Sequence, residues 1–169
     1  MEVEAIYVAK AGGEPMERRD SIRAVEGGLD GDRYCTGRGY YSPFDVCQVT
    51  FVQAEALAAI EDQTRLNVRD GQHRRNVVVR GGDVHDLLNH RFSLGSGTFE
   101  GTRPRPPCRH VEQVAGQDGL MRALADGNGG ICARVAEPGE FGVGDEIHDV
   151  DDLGNFESLV SNIRDRVGK

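Results

Sequence analysis

The sequence predicts a mainly β domain that folds into a closed or nearly closed β-barrel. Short runs rich in β-branched and aromatic residues recur along the chain, and turns that contain glycine separate them. Many short strands of this kind are typical of barrels. A chain of 169 residues with 38% hydrophobic content can bury one core, so we expect one domain.

Taken in order, the predicted elements alternate strands with a few short helices. The strands are predicted at residues 2–9, 22–26, 46–52, 76–80, 91–94, 98–102, 131–136 and 146–150. Helices are predicted at residues 53–60, directly after Cys108, and at 119–125. Residues 29–43 have no apolar periodicity, which indicates a long ordered loop of the kind that often binds ligands, although a disordered segment would have the same composition.

The C-terminal segment has a helical pattern of its own. Its apolar residues fall at spacings of three and four, and two acidic residues precede them in a position to cap a helix. We expect residues 1–150 to form the domain and residues 151–169 to form an amphipathic helix packed on it, in preference to a dimer contact. The residues that carry this pattern are Asp151, Asp152, Leu153, Phe156, Val160, Ile163 and Val167.

Composition limits the cellular compartment in which the protein is expected and the classes of partner that it can bind. No apolar leader or membrane-spanning stretch is visible, so we expect a cytoplasmic protein that does not bind membranes and whose four cysteines stay reduced. A net charge of −8 argues against general nucleic-acid binding. Of the 20 basic residues only Lys10 and Lys169 are lysines. Genomic bias or a salty cytoplasm would explain the excess of arginine, but converging arginines would also bind an anion.

Cys108 is the strongest candidate for chemistry. It lies in the sequence RPRPPCRH (residues 103–110), after two prolines and before a predicted helix. Unpaired N–H groups at a helix start and cationic neighbours favour the thiolate, which is the nucleophilic and metal-binding form. The alternative is a cysteine that merely packs in the core. His110 lies two positions away and would face away on a helix, so a direct Cys–His pair is the weaker expectation.

The remaining cysteines and histidines are expected to be structural or exposed. Cys47 and Cys132 lie in apolar strand patterns typical of core cysteines, and Cys35 lies in the loop without a neighbour at metal-ligand spacing. Histidines among polar residues are predicted to be exposed side chains; these are His73, His85, His90 and His148.

A second basic group precedes the strand at residues 76–80. Arg74, Arg75 and Asn76 are predicted to begin it, with Arg74 and Asn76 on one face and Arg75 on the other. Arginine and asparagine together suit a phosphate or the polar edge of a heterocycle, although an exposed strand end would have the same sequence.

A series of motifs follows in order along most of residues 1–150: GLDGDRY (28–34), VTFVQAEAL (49–57), RRNVVVRGGDVHDLL (74–88), RFSLG (91–95), EGTRPRPPCRHVE (100–112), GLMRAL (119–124), GGICARV (129–135) and GVGDEI (142–147). Taken together, these motifs resemble the MOSC domain family, named for the C-terminal domain of molybdenum cofactor sulfurases.

The resemblance implies a stand-alone module that binds a pterin-based molybdenum or tungsten cofactor. The family cysteine falls on Cys108, which would act as a carrier of sulfane sulfur or as a metal ligand, the latter in reductases of N-hydroxylated compounds. Because the chain has no desulfurase domain, a separate protein would donate sulfur or electrons. The residues expected to hold the cofactor are Arg74, Arg75, Asn76, Arg103, Arg109 and His110.

Two other functions agree with the sequence alone. Cys108 and His110 would suit a cofactor-free cysteine hydrolase or transferase. The arginines would also suit a non-catalytic module that binds a phosphorylated small molecule while Cys108 only packs.

Overall fold

The computed structural model describes residues 1–39 and 47–154, which form a mainly β structure. Within these residues, three α-helices and one short 3₁₀ helix accompany the strands, as α1 Ala54–Gln63, Val84–Leu87 (3₁₀), α2 Arg109–Ala115 and α3 Leu120–Ala123. The strands are β1 Glu2–Val8, β2 Glu17–Arg19, β3 Ser21–Val25, β4 Gly28–Leu29, β5 Val49–Gln53, β6 Val77–Arg80, β7 His90–Leu94, β8 Gly97–Pro104, β9 Ile131–Glu137, β10 Gly139–Gly142 and β11 Ile147–Asp152.

Eight strands form one strongly curled sheet in the order β11-β7-β8-β9-β5-β6-β1-β2. β5 and β6 are parallel and are connected through α1, whereas the other neighbouring pairs are antiparallel. A smaller sheet has the order β10-β3-β4. The predicted mainly β class is therefore confirmed.

The predicted closed or nearly closed barrel is corrected by the structure, in which the large sheet curls into a half-barrel that does not close. The two edge strands of this sheet, β11 and β2, are not paired with each other. The first residues of β1 do approach the start of β11, where the Val3 amide donates to the Asp145 carbonyl over 2.8 Å. That contact is limited to a short bridge for two reasons. β2 pairs with the free edge of β1 at Ile6–Val8, and β11 shifts its register against β7 after His148.

The concave face of the sheet holds an aromatic core. Phe51 contacts Phe92 and Phe99 edge-on, with ring centroids 5.5 and 5.8 Å apart, and Phe141 closes the cluster against Phe99. A second apolar cluster, which includes Leu57 of α1, lies between the helices and the other face. Burying both faces of β5 and β6 explains why their residues read as continuous apolar runs and not as alternating ones.

Several short elements escaped prediction. β2, β4 and β10 have two to four residues each and little apolar pattern of their own. Asp151 and Asp152, predicted to cap a helix, are the last residues of β11. The rest of the predicted C-terminal helix, from residue 155, and residues 40–46 of the predicted loop lie outside the described residues. Within the described part, no helix is long and apolar enough to span a bilayer.

Candidate functional site

Cys108 stands where β8 leaves the sheet. After Pro104 the chain is extended through two further prolines, and Cys108 occupies the position immediately before α2 with φ −144° and ψ 155°. Just upstream, the Arg105 amide donates to the Gly130 carbonyl over 2.8 Å, which ties this segment to the start of β9. Cys108 is partly buried. The sequence motif thus presents a thiol at the end of a strand that the sheet holds in place.

The loop before β6 supplies two arginines. Arg75 is buried, and its Nε donates to the Gly129 carbonyl over 2.7 Å while its Nη1 donates to the His73 carbonyl over 2.9 Å. Arg74 has the left-handed φ of 61°, so the predicted alternation of faces over residues 74–76 is wrong. β6 begins only at Val77, after this turn.

The loop after β4 adds Arg33 and Tyr34. Arg33 is 3% exposed; its Nη2 donates to the Arg74 carbonyl over 3.0 Å, and its guanidinium stacks 4.6 Å from the centroid of the Tyr34 ring. Arg105 Nη2 donates to the Tyr34 hydroxyl over 3.1 Å. We call Arg33, Arg74, Arg75 and Arg105 the arginine cluster.

The arginine cluster is strongly positive. Burial first, and then Arg33, lowers the pKa of Arg74 to about 10; burial first, and then Arg105, lowers the pKa of Arg75 to about 10. Both guanidiniums therefore stay charged at neutral pH. Among the described residues, the carboxylate that acts on the cluster is the buried Asp32. An excess of buried positive charge favours the binding of an anion.

The arginine cluster and Cys108 line one small cavity. Its other lining residues include Tyr34 and His110. The cavity has a volume of about 20 Å³, which is room for about one water molecule. The site as it stands is therefore closed to any ligand larger than that.

Residues 11–16 close the cavity, and we call them the strap. Arg74 Nη2 donates to the Gly12 carbonyl over 2.7 Å, and Arg74 Nη1 donates to the Glu14 carbonyl. His110 Nε2 also donates to the Gly12 carbonyl, over 2.8 Å. Arg33 Nη1 contacts the Met16 sulfur at 3.3 Å. Site residues that could bind an anion are thus engaged by main-chain oxygens of the strap.

The predicted site residues fall into two groups. Those that line the cavity are Cys108, Arg74, Arg75 and His110. The remaining three lie elsewhere, as Asn76 is buried in a hydrogen-bond network, Arg103 is in β8 opposite Cys132, and Arg109 is exposed beside a shallow groove on α2.

Sequence reasoning missed Arg33, Tyr34 and Arg105 as site residues. All three lie inside motifs that carried the family resemblance, GLDGDRY and the cysteine motif, so a signal was present. Composition around Arg33 indicates only a charged turn, because its approach to Arg74 joins residues 41 positions apart.

The other cysteines lie largely as predicted. Cys47 and Cys132 are buried, at 2% and 0% exposure, as core residues. Their thiols are hydrogen-bonded to each other, which lowers the pKa of Cys47 to about 7 and raises that of Cys132. Cys35 is partly buried in the loop after β4.

His73 is not the exposed side chain that the sequence predicts. It is 1% exposed, and its Nδ1 accepts a hydrogen bond from the Arg75 amide over 3.0 Å. Burial first, and then Arg75, lowers the pKa of His73 to about 3. The polar residues around His73 in the sequence do not indicate its burial, because that burial results from the packing of its loop beside the arginine cluster. Of the other three, His148 is exposed and His85 and His90 are half-buried.

This buried histidine predicts a pH dependence of stability. The folded state holds His73 neutral, whereas the unfolded chain takes up a proton below about pH 6.5. The unfolded state therefore binds more protons, and the free energy of unfolding should fall by up to about 1.4 kcal/mol per pH unit as the pH drops from about 6 towards 3. Urea denaturation of the parent and of His73→Asn, which cannot titrate, measures the difference. Equal slopes for the two proteins would contradict it.

Known structures share this fold. The YuaD protein from Bacillus subtilis is 22% identical, with a TM-score of 0.72 over 89% of this chain and 95% of that one. YiiM from Geobacillus stearothermophilus is 15% identical, with a TM-score of 0.69 over 86% of this chain and 73% of that one. YiiM from Escherichia coli is 14% identical, with a TM-score of 0.64 over 100% and 94%. No curated protein matches the sequence significantly.

The family assignment rests on the sequence. The sequence model of the MOSC domain matches residues 41–148, a stretch that includes β5 to β10, Cys108 and three of the four residues of the arginine cluster. This is more than half of the chain, and the similar structures have the same fold. The chain therefore belongs to the MOSC domain family.

Proposed function

We propose that the protein binds a pterin-based molybdenum or tungsten cofactor through the arginine cluster, with Cys108 as the sulfur that serves it. The observation that carries the proposal is the convergence of four buried arginines and one thiol on a single cavity. Arginines would bind the phosphate group of such a cofactor, and a thiolate would be a suitable ligand for its thiophilic metal.

The donor set fits such a group. Arg74 Nε is buried and has no hydrogen-bond partner among the described residues, so an N–H donor beside the cavity is available to an anion. The present volume does not admit a pterin, because sites for ligands of that size measure hundreds of Å³. Binding therefore requires the strap to move away from the cavity. The hydrogen bonds from Arg74 to the Gly12 and Glu14 carbonyls would break, and Arg74 would then bind the ligand.

Cys108 would act in one of two ways. As a metal ligand, its thiolate holds the metal, and the cofactor supplies the redox chemistry, for instance in reduction of an N-hydroxylated compound. As a sulfur carrier, its thiolate attacks the outer sulfur of a persulfide on a donor protein. The new S–S bond forms on Cys108 as the donor's S–S bond breaks, and the donor leaves as a thiolate. A separate protein supplies sulfur or electrons, and a reducing cytoplasm is the compartment that suits a free thiol.

A second candidate is a binding module for a phosphorylated small molecule. The arginine cluster would serve that function without Cys108. A cofactor-free hydrolase or transferase has less support, because it would make no use of the four arginines that line the same cavity as Cys108.

Expression together with cofactor biosynthesis tests the leading proposal. We expect Cys108→Ser to lose labile sulfur or bound metal at least about tenfold relative to the parent, because its hydroxyl replaces the soft sulfur. Metal analysis, pterin fluorescence and native mass spectrometry of the purified proteins measure this, and they separate a persulfide from a metal by mass.

Two variants act as controls. Cys35→Ser removes a partly buried thiol outside the cavity and should keep the parent's metal, pterin and sulfur. Arg74→Gln keeps the thiol but removes a cluster charge, and it should lower pterin occupancy. If Cys108→Ser retained as much metal, pterin and sulfur as the parent, the proposal would be wrong; retained phosphate binding in that variant would favour the binding module.

A further inference from the structure

A second and larger cavity lies on the other side of the loop that carries Arg75. It has a volume of about 360 Å³ and is bounded by β1, β6, α1 and residues 68–73. Its apolar walls include Ala5, Leu57, Val68 and Val78. Among the described residues, none lines both this cavity and the one at Cys108. The volume falls in the range of small-molecule sites, and charged side chains stand beside these apolar walls.

His73 supplies a fixed polar group to this cavity. It lines the cavity, and its Nδ1 is occupied as an acceptor of the Arg75 amide proton. The ring is neutral, so its single proton must be on Nε2. Among the described residues, this Nε2–H has no hydrogen-bond partner. This donor in the cavity wall is available to an acceptor on a ligand.

The charged residues that line the cavity determine which ligand charge it favours. Glu61 is neutralised by Arg69 at 2.9 Å, and Arg18 lies near Tyr7, but Glu4 and Asp70 add two further carboxylates. Burial first, and also Asp70 and Glu4 against the effect of Arg18, raise the pKa of Tyr7. The lining therefore carries a net negative charge, which disfavours anions. The donor of the site is neutral, so it gives an anion no compensating charge.

From these features we infer that the second cavity binds a small neutral compound with an apolar ring and a carbonyl acceptor, of the carboxamide class. The ring fills the space between α1 and β6, and the carbonyl oxygen accepts from His73 Nε2–H. The inference is independent of the cofactor proposal, because no residue in the part of the chain that the structure describes lines both cavities.

The same ligand would affect the arginine cluster. His73 accepts two hydrogen bonds from Arg75. Its Nδ1 accepts from the Arg75 amide, and its carbonyl oxygen accepts from Arg75 Nη1. A ligand that fixes the His73 ring therefore also restrains Arg75, which lines the cavity at Cys108. The two sites are coupled through one side chain and its neighbour.

Benzamide is the probe that tests the inference, with benzoate as its matched anion. We expect benzamide to shift the ¹⁵N resonance of His73 Nε2 saturably at neutral pH, and benzoate to bind at least about tenfold more weakly. Nuclear magnetic resonance titration of the isolated protein measures both. No saturable shift with benzamide, or equal binding of benzoate, would overturn the inference.

Two tryptophan variants on α1 locate the binding. Ala58 is exposed and lines the cavity, so Ala58→Trp should fill it and weaken benzamide at least about tenfold. Gln63 is exposed at the end of the same helix and does not line it, so Gln63→Trp should leave the affinity unchanged. Circular dichroism checks that both variants fold. Unaltered binding to a folded Ala58→Trp variant would contradict the assignment of the site.

Discussion

Replacing Asp32 with alanine is expected to lower the free energy of unfolding by about 4 kcal/mol, because it removes one half of a buried ion pair. Asp32 is 0% exposed, and its Oδ1 accepts from Arg33 Nη1 over 3.0 Å. The same carboxylate accepts from the amides of Ala9 and Tyr34 and from Asn76 Nδ2, over 3.0 to 3.2 Å. Loss of four hydrogen bonds at one buried group leaves donors that water cannot reach.

Asp30 provides the matched control for this experiment. It lies in the same loop but is exposed, so Asp30→Ala should change the free energy of unfolding by no more than about 0.5 kcal/mol. Urea denaturation of the three proteins gives the comparison. A loss below about 1 kcal/mol for Asp32→Ala would mean that the loop does not depend on the buried carboxylate.

Asp32 matters for the site because it joins three separate segments. It holds Arg33 and Tyr34 on one side, and through Asn76 it reaches the loop that carries Arg74 and Arg75. Asn76 in turn accepts from the Thr50 amide at the start of β5 over 3.1 Å. One buried polar network therefore sets the separation of the arginines, which explains why Asn76 is buried beside the cluster and does not line the cavity.

Local sequence signals predicted the parts of the site that are close together in the chain. The two prolines before Cys108, the short helix after it, and the β-branched run of β6 are all properties of a few neighbouring residues. These signals made Cys108, Arg74 and Arg75 candidates for the site, and the structure brings these three to one cavity.

The features that escaped prediction depend on contacts between distant segments. The burial of His73 results from packing of its loop against β1 and α1, and nothing in its polar neighbours indicates this. The open edge of the half-barrel results from the competition of β2 for β1, and β2 has three exposed residues with no pattern. The strap is similarly invisible, because its binding groups are main-chain carbonyls that any sequence would have.

The segment 129–130 connects the sheet to the site. The Gly129 carbonyl accepts from Arg75, and the Gly130 carbonyl accepts from the Arg105 amide. Gly130 has the left-handed φ of 76°, and a Cβ added there would lie 1.9 Å from the Phe51 carbonyl oxygen in β5. Such close approach of two backbones is possible only with glycine.

Gly130→Ala should therefore lower the free energy of unfolding by about 4 kcal/mol, from about 1–2 kcal/mol of left-handed backbone strain and the remainder from the clash. The atom in the way belongs to the backbone of a central strand, so it cannot turn aside as a flexible side chain would. Gly116 separates the two causes: its φ is 63°, but an added Cβ meets nothing within 4 Å, so Gly116→Ala should cost only about 1 kcal/mol. Urea denaturation measures both variants. Equal losses would show that β5 yields at Phe51, and the arginines anchored to residues 129 and 130 would then be held less firmly than the hydrogen bonds indicate.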